Sequence, residues 1–493
     1  MSTQQPQELL ATLIALRAEV VQQGAELTTR WREHLQRRAM CISAVNLANY
    51  LALRSHDLRE LQPLLSRYGI SSLGRAEARV LPNLDAVIAT LQAICGEAER
   101  SRFPRPQSFY RGSRLLRFNT EKAFGPLPRG RAVRVMVTYP TEAAHNYDFV
   151  RDLVARGMDA ARINCAHDTP QDWQAMIAFT HRAASETGHS VKIHMDLGGP
   201  KVRTADIHLD AKRLYVGDTL LLTRAEPRPR PEYPKQVRCT LPQVLDQAAI
   251  GHAVWIDDGK IGTVIIGSDD EGAVLRVTHA NDRGVRLRAE KGLNFPDTDL
   301  RLNPLTDDDL DDLDFIAHHA DLIGYSFVQD AEDIERLQAE LAARRKDWQK
   351  IALIAKIETR RAIHNLPELI IRAGGKQPFG VMIARGDLAV EVGYQRMAEI
   401  QEEILWLCEA AHIPVIWATQ VLESFVKEGI PSRGEMTDAA MAARAECVML
   451  NKGPHVGEAI TLLNDLLSRM QGHQVKKTPQ LRALRAWADV TGE

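Results

Sequence analysis

The sequence predicts an α/β fold: a (β/α)8 TIM barrel with an all-β domain inserted after its third strand, preceded by a helical module. Three observations predict it. Four continuous apolar runs between Ile351 and Gly453 each end in polar or charged residues: IALIAKIE, FGVMIARGD, PVIWATQ and CVMLNKG. Four more runs lie upstream, with helical text in most of the gaps. One gap, between the third and fourth runs, is long and strand-like instead. Continuous Val, Ile and Leu is how a parallel strand buried on both faces reads. Eight such units in succession fit the barrel better than a doubly wound sheet.

In chain order, residues 1–100 are rich in Leu, Ala, Glu, Gln and Arg at helical spacing, as in ELLATLIALRAEVVQQGAEL, and are expected to form a helical N-terminal module. Its Leu and Ile stripe reads as core or interface. The polar stretch 101–130, with Pro104, Pro106, Pro126 and Pro128, is expected to be a linker. The barrel's first part, 131–204, carries strands AVRVMVT (132–138), DAARINC (159–165) and VKIHMDL (191–197). Segment 205–290 contains RLYVGDTLLLT, HAVWIDDGKIGTVIIGS and EGAVLRVTHA, and reads as an inserted β lid domain on the catalytic face, placed to exclude water. The second part, 291–475, opens on ADLIGYSFV (320–328) and continues through the four runs above; 476–493 is a short basic tail.

Composition narrows the function classes. A formal net charge of −2 in 493 residues, 26% of them charged, gives no sign of a nucleic-acid partner. No run approaches the ~18 apolar residues of a membrane span. The first twenty residues are too acidic and polar for a signal or transit peptide. Six cysteines without a CxxC pair argue against a disulfide framework or a zinc site. A cytoplasmic protein with no membrane partner is expected.

Active sites of such barrels collect at the C-terminal ends of the strands. Those ends supply Lys356 and Glu358, then Arg385 and Asp387, then Thr419. Two carboxylates and a cation facing one pocket suit a divalent metal and an oxyanionic substrate. His167 and His194, with no second histidine at a ligand spacing, read as hydrogen-bonded core or rim residues. Cys165 reads as a small packed side chain.

Six motifs carry a family resemblance. KIE (356–358), ARGDLAVE (384–391), ATQVLES (418–424), ARIN (161–164), WIDDG (255–259) and KGLNFP (291–296) resemble the signatures of pyruvate kinase, in unbroken order over about 131–467. The resemblance implies phosphoryl transfer between phosphoenolpyruvate and ADP, giving pyruvate and ATP, a reaction governed by positioning and charge neutralisation. It implies Glu358 and Asp387 as the carboxylates for Mg2+ or Mn2+, and Lys356 as the cation that stabilises the transferring phosphoryl group and the enolate. By the same resemblance Thr419 takes part in the proton step and Arg162 grips the substrate phosphate. Arg203 and Asn164 fall at nucleotide-binding positions. Ala384, Arg385, Gly386 and Asp387 form the turn whose amides bind the substrate carboxylate. A homo-oligomer is expected.

The chain also departs from the family pattern. The family's sugar-phosphate effector site, which lies in its C-terminal domain, is expected to be absent, and the helical N-terminal module is expected to be an addition to the family pattern. In the monovalent-cation region Asn164 and Asp196 match, while Ala166 and Leu197 replace two hydroxyl residues. Lys201 stands where potassium-dependent members have glutamate, so its ammonium is expected to sit where the ion would, and potassium is not expected to be required. After the eighth strand Asn451-Lys452-Gly453-Pro454 replaces Ser-Gly-Glu-Thr. Two alternatives remain open: other Mg-enolate chemistry, such as 2-oxo acid decarboxylation or cleavage, and a weakly active regulatory protein working through its helical module.

Overall fold

The computed structural model describes residues 6–98, 101–209 and 213–481. Eight parallel strands close into a barrel: Arg134–Thr138, Ala160–Asn164, Lys192–Asp196, Leu322–Tyr325, Ala352–Ile357, Phe379–Ala384, Val415–Ala418 and Cys447–Leu450. Each is paired with its sequence neighbour, and the first also pairs with the eighth. These are the eight runs expected from the sequence, because only a strand covered on both faces can be apolar throughout.

Register decides which rim residues meet. Arg162 lies level with His194, and Asn164 and Gly324 both lie level with Asp196. A Cβ at position 324 would fall 1.8 Å from the Asp196 Oδ1 and 2.6 Å from the His194 Nε2. Glycine on the fourth strand therefore makes the space in which this carboxylate and imidazole sit.

The stretch 101–130 is not an open linker. It carries the helix Arg111–Phe124, whose Ala123 and Phe124 join Met136, Leu322, Ile354 and Met449 in the barrel interior. Arg134, the first residue of the first strand, donates to the Gly125 carbonyl at 3.0 Å, so the helix end closes the barrel where its strands begin. The Arg-rich text of this segment hid the few side chains that plug the barrel.

The helical module comprises Pro6–Trp31, Arg38–Arg54, Leu61–Arg67 and Val80–Ile94. Its buried leucines are continuous with the barrel core. Polar contacts fix the docking. Arg37 donates to the Gly374 and Gln377 carbonyls at 3.0 and 2.6 Å, and the Asn46 amide donates to the Ala410 carbonyl at 2.8 Å. Close to the far end of the described chain, Gln474–Val475 and Thr478–Pro479 form a small hairpin. From it Lys476 pairs with Glu446 of the barrel and Lys477 with Glu77 of the module. The rest of the expected tail, from 482 onward, lies outside the described residues.

The insertion folds on a core of its own. Its seven-stranded sheet runs over residues 204–294, leaving the barrel after the third strand and returning before the fourth. Its exit is fixed at Gly198 and Gly199, whose amides donate to Asp309 at 2.7 and 3.1 Å. Asp309 also closes the capping box of the helix Asp307–His319, so one carboxylate ties a helix start to the lid hinge. No described helix is long and apolar enough to cross a membrane.

Candidate active site

The barrel rim gathers its charges around Asp196, at the end of the third strand. This carboxylate is fully buried. It accepts Arg162 Nε at 2.8 Å and Nη2 at 2.5 Å, contacts the His194 Nε2, and lies 3.6 Å from the Lys356 ammonium. Burial pushes its pKa up, but Arg162, Lys356 and His194 outweigh that and hold it well below the usual carboxylate range. The carboxylate needs a donor, so the His194 Nε2 carries a proton. Arg162 is further held by the Thr138 hydroxyl at 2.9 Å.

Lys356 ends the fifth strand inside this cluster. Its ammonium donates to the Ser326 Oγ at 2.7 Å and lies 3.2 Å from Glu358. The Ser326 hydroxyl in turn donates to the Leu197 carbonyl at 2.7 Å, so its lone pairs face the lysine. Burial alone would pull the Lys356 pKa down; Glu358 and Asp196 reverse this and raise it, which keeps the group charged.

Glu358 is buried and accepts the Phe327 amide at 2.6 Å. Phe327 holds φ at +55°, a strained value for a bulky residue, and this aims its N–H at the carboxylate. Burial raises the Glu358 pKa, Lys356 lowers it, and the neighbouring Asp387 raises it again; the net direction is up. The Glu358 carboxylate, just past the fifth strand, and that of Asp387, in the helix after the sixth, therefore repel each other. Among the described residues no three His, Cys, Asp or Glu side chains converge on a metal position. A pair of carboxylates fits an ion such as Mg2+, which takes one or two protein carboxylates and completes its shell with substrate and water oxygens.

Lys201 is one expected site residue that the structure places elsewhere. It does not join Asn164 and Asp196. Its ammonium lies 2.9 and 3.0 Å from the two Asp387 oxygens. The physical reason is charge: Asp196 is already ringed by Arg162, Lys356 and His194, whereas Lys201 is the ion-pair partner found at Asp387. At the two positions lacking the family's hydroxyls, Leu197 is buried and Ala166 exposed.

The turn Ala384–Asp387 opens the helix Arg385–Val392. Arg385 points away from the Asp196 cluster. It donates to the Ala418 and Thr419 carbonyls at 3.0 and 2.6 Å, pairs with Asp438, and stacks on Trp417 at 4.7 Å. Its work is to join the sixth and seventh strand ends. The Gly386 amide donates to the Thr419 Oγ1 at 2.9 Å. Thr419 itself holds φ at +62°, which a β-branched residue rarely adopts, so the fold strains this residue to turn its hydroxyl toward Gly386.

Two cavities flank the cluster. One, of ≈ 380 Å3, is lined by Lys201, Phe327, Thr359, Arg360, Asp387 and Glu391. The other, of ≈ 350 Å3, is lined by Thr138, Arg162, Asn164, His167, Asn451 and Lys452. Arg203 lines neither; its guanidinium reaches the Glu290 carbonyl of the insertion at 3.4 Å. Burial, Lys452 and Arg203 together push the His167 pKa down. Sequence reasoning missed Ser326, Thr138 and Asp438. Ser326 follows the fourth strand directly, and that position is the signal that marks it as a rim residue.

A barrel rim with this order of strands, and an insertion after the third, can be compared with known proteins. The family model for the barrel domain of pyruvate kinase matches residues 131–458. Pyruvate kinase 2 of Trypanosoma brucei brucei is 29% identical over 344 residues, 68% of this chain and 66% of its own. The pyruvate kinase of Geobacillus stearothermophilus is 31% identical over 336 residues, 67% of this chain and 55% of its own. That of Methylorubrum extorquens is 30% identical over 352 residues, 70% of each chain. The chain thus spans less than two thirds of the length of the first two relatives. The matched segment contains every rim residue described above, and on it the chain belongs to the pyruvate kinase family.

Proposed function

We propose that the chain transfers the phosphoryl group of phosphoenolpyruvate to ADP, giving pyruvate and ATP, with Mg2+ or Mn2+ and without a need for potassium. The observation that carries this reading is the placement of Lys356: a largely buried ammonium held between Asp196, Glu358 and Ser326, beside the Glu358–Asp387 pair. Three cations (Arg162, Lys356, Lys201) face three carboxylates (Asp196, Glu358, Asp387), so the formal charges of these six side chains cancel. A divalent metal held by Glu358 and Asp387 then needs anionic substrate oxygens to balance it, so metal and substrate are expected to bind together.

In this reading Arg162 holds the substrate phosphate and Lys356 lies at its bridging oxygen. The bond from that oxygen to phosphorus breaks as one forms to the terminal phosphate oxygen of ADP. The enolate left behind gains charge on the oxygen, and Lys356 stabilises it there. Protonation at the methylene carbon, in the reach of Thr419, completes pyruvate. The bound metal would neutralise charge on the transferring group. The Asp387 amide, with Gly386 partly engaged by Thr419, receives the substrate carboxylate. Asn164 and Arg203 face the nucleotide phosphates, with the insertion bringing Arg203.

ADP-dependent pyruvate formation, followed by a coupled assay with and without Mg2+, tests the proposal. Turnover that requires both ADP and metal is expected, and it should be similar in tetramethylammonium and in potassium buffer. Pyruvate formed from a 2-oxo acid without ADP would favour the other enolate chemistry. Strong potassium activation would overturn the proposed independence of potassium. A cytoplasmic, homo-oligomeric enzyme is part of the same proposal.

A further inference from the structure

The net charge of −2 conceals one strongly basic segment. Residues 101–131 carry eight arginine and lysine side chains against a single carboxylate, Glu121. Seven of the eight are exposed; the other, Arg131, is buried in a pair with Asp159. The helix Arg111–Phe124 lies in this segment, at the end of the barrel opposite the catalytic rim. Its inner face is already used. Gly112, Leu116, Thr120, Ala123 and Phe124 are buried, and a Cβ at position 112 would fall 1.9 Å from the Ala78 carbonyl oxygen. Asn119 donates to the His412 carbonyl at 2.8 Å, so the helix is fixed between module and barrel.

The outer face carries Arg111, Arg114, Arg117 and Lys122, all exposed. Arg114 donates to the Gln107 carbonyl at 2.5 Å, and the Lys122 ammonium lies 5.6 Å from the Phe118 ring. None of the four pairs with a described carboxylate, Glu121 included. Aromatic rings are interleaved with these charges. Phe118 lies on the same face, Tyr110 directly precedes the helix, and Phe103 lies upstream; they are 45%, 53% and 61% exposed, which leaves ring surface open on each. The Arg79 guanidinium stacks over Phe109 and Tyr110 at 4.4 and 5.9 Å and steadies the second of these rings.

Fixed cations without partners suit a polyanion. An anionic bilayer would reward an apolar helix face, but here that face is buried against the protein and Phe118 stands among charges. A single-stranded nucleic acid uses both features, because its phosphates meet the cations and its bases stack on open rings. We propose that this face binds a single-stranded nucleic acid, with phosphates on Arg111, Arg114, Arg117 and Lys122 and bases on Phe118 and Tyr110. The overall charge balance gave no sign of such a partner because it averages the segment away.

Fluorescence anisotropy of a labelled oligothymidylate of about twelve nucleotides, titrated with the full chain, tests this. Between about 50 and 200 mM salt, the slope of log affinity against log salt should be about −3, with about −0.7 from each of four phosphates. Arg114→Gln combined with Arg117→Gln should reduce the slope to about −1.4. Phe118→Leu keeps an apolar side chain without the ring, and should weaken binding about tenfold at an unchanged slope. Saturating ADP should not displace the oligonucleotide, since the nucleotide site proposed above is at the other end of the barrel. Circular dichroism checks the fold of each variant. Absence of binding, displacement by ADP, an unchanged slope in the double variant or unchanged affinity in Phe118→Leu overturns the proposal. Cosedimentation with phosphatidylserine vesicles in the absence of oligonucleotide binding overturns it too, and assigns the same charges to a membrane surface.

Discussion

Replacing Lys201 by methionine tests the electrostatics of the rim most directly. In the free protein the Lys201 ammonium covers Asp387 with two contacts near 3 Å. A divalent ion must either displace it or share the carboxylate with it. Two unit charges about 4 Å apart attract by about 4 kcal/mol at an effective dielectric of about 20. The Lys201 and Asp387 side chains keep 26% and 16% of their exposure, so solvent screening and desolvation reduce the net coupling to about 1–2 kcal/mol. Methionine keeps an unbranched side chain, one atom shorter, and removes the charge. Mn2+ should therefore bind Lys201→Met about tenfold more tightly than wild type, since about 1.4 kcal/mol is a factor of ten. Free Mn2+ counted by electron paramagnetic resonance, with neither substrate present, reads this without reference to turnover. Lys260→Met serves as a control, because Lys260 pairs with Asp257 on the insertion. Equal or weaker Mn2+ affinity in Lys201→Met would refute the view that lysine and metal compete for Asp387.

Three further outcomes follow from the same geometry. Asp387→Asn should retain the fold but lose metal-dependent turnover by orders of magnitude; activity near wild type in the coupled assay would remove Asp387 from the metal site. Lys356→Met should lower kcat by about 10²–10³-fold with a much smaller change in KM for phosphoenolpyruvate, since charge stabilisation specific to the transition state acts on kcat. His412, buried between module and barrel, contacts the Ser43 Oγ at 2.9 Å and the Ala78 carbonyl at 3.2 Å, and burial pulls its pKa down to about 4. Its folded value is below the unfolded value of about 6.5, so the stability it gives is present above that pH and is lost as pH falls toward 4. His412→Asn, chosen because His412 has φ at +54°, should narrow its stability gap to wild type by about 2 kcal/mol between pH 7 and pH 5. Urea midpoints of the two proteins must be compared, because Glu391 and Glu409, raised by burial to about 7, gain stability over the same window. A gap that does not change with pH would show that the ring titrates in the fold as it does in the unfolded chain.

Much of this protein is written locally in its sequence. The barrel strands are legible because burial on both faces demands unbroken apolar runs, and the rim residues are legible because each such run ends where the chemistry of a barrel collects. Lys356, Glu358, Asp387 and Thr419 could be named from that rule before any coordinate. Family motifs then supplied roles that spacing alone does not give. What the tertiary structure decided is who partners whom. Lys201 and Asp387 are 186 positions apart, and whether the lysine faces Asp387 or Asp196 depends on barrel closure and on the hinge held by Asp309. Gly324 matters only because the fourth strand packs level with Asp196. The helix Arg111–Phe124 reads as a polar linker because a plug buries only a few of its residues. Periodicity reports which face of an element is buried; long-range pairing is set by the closure of the whole fold, and only the folded chain contains it.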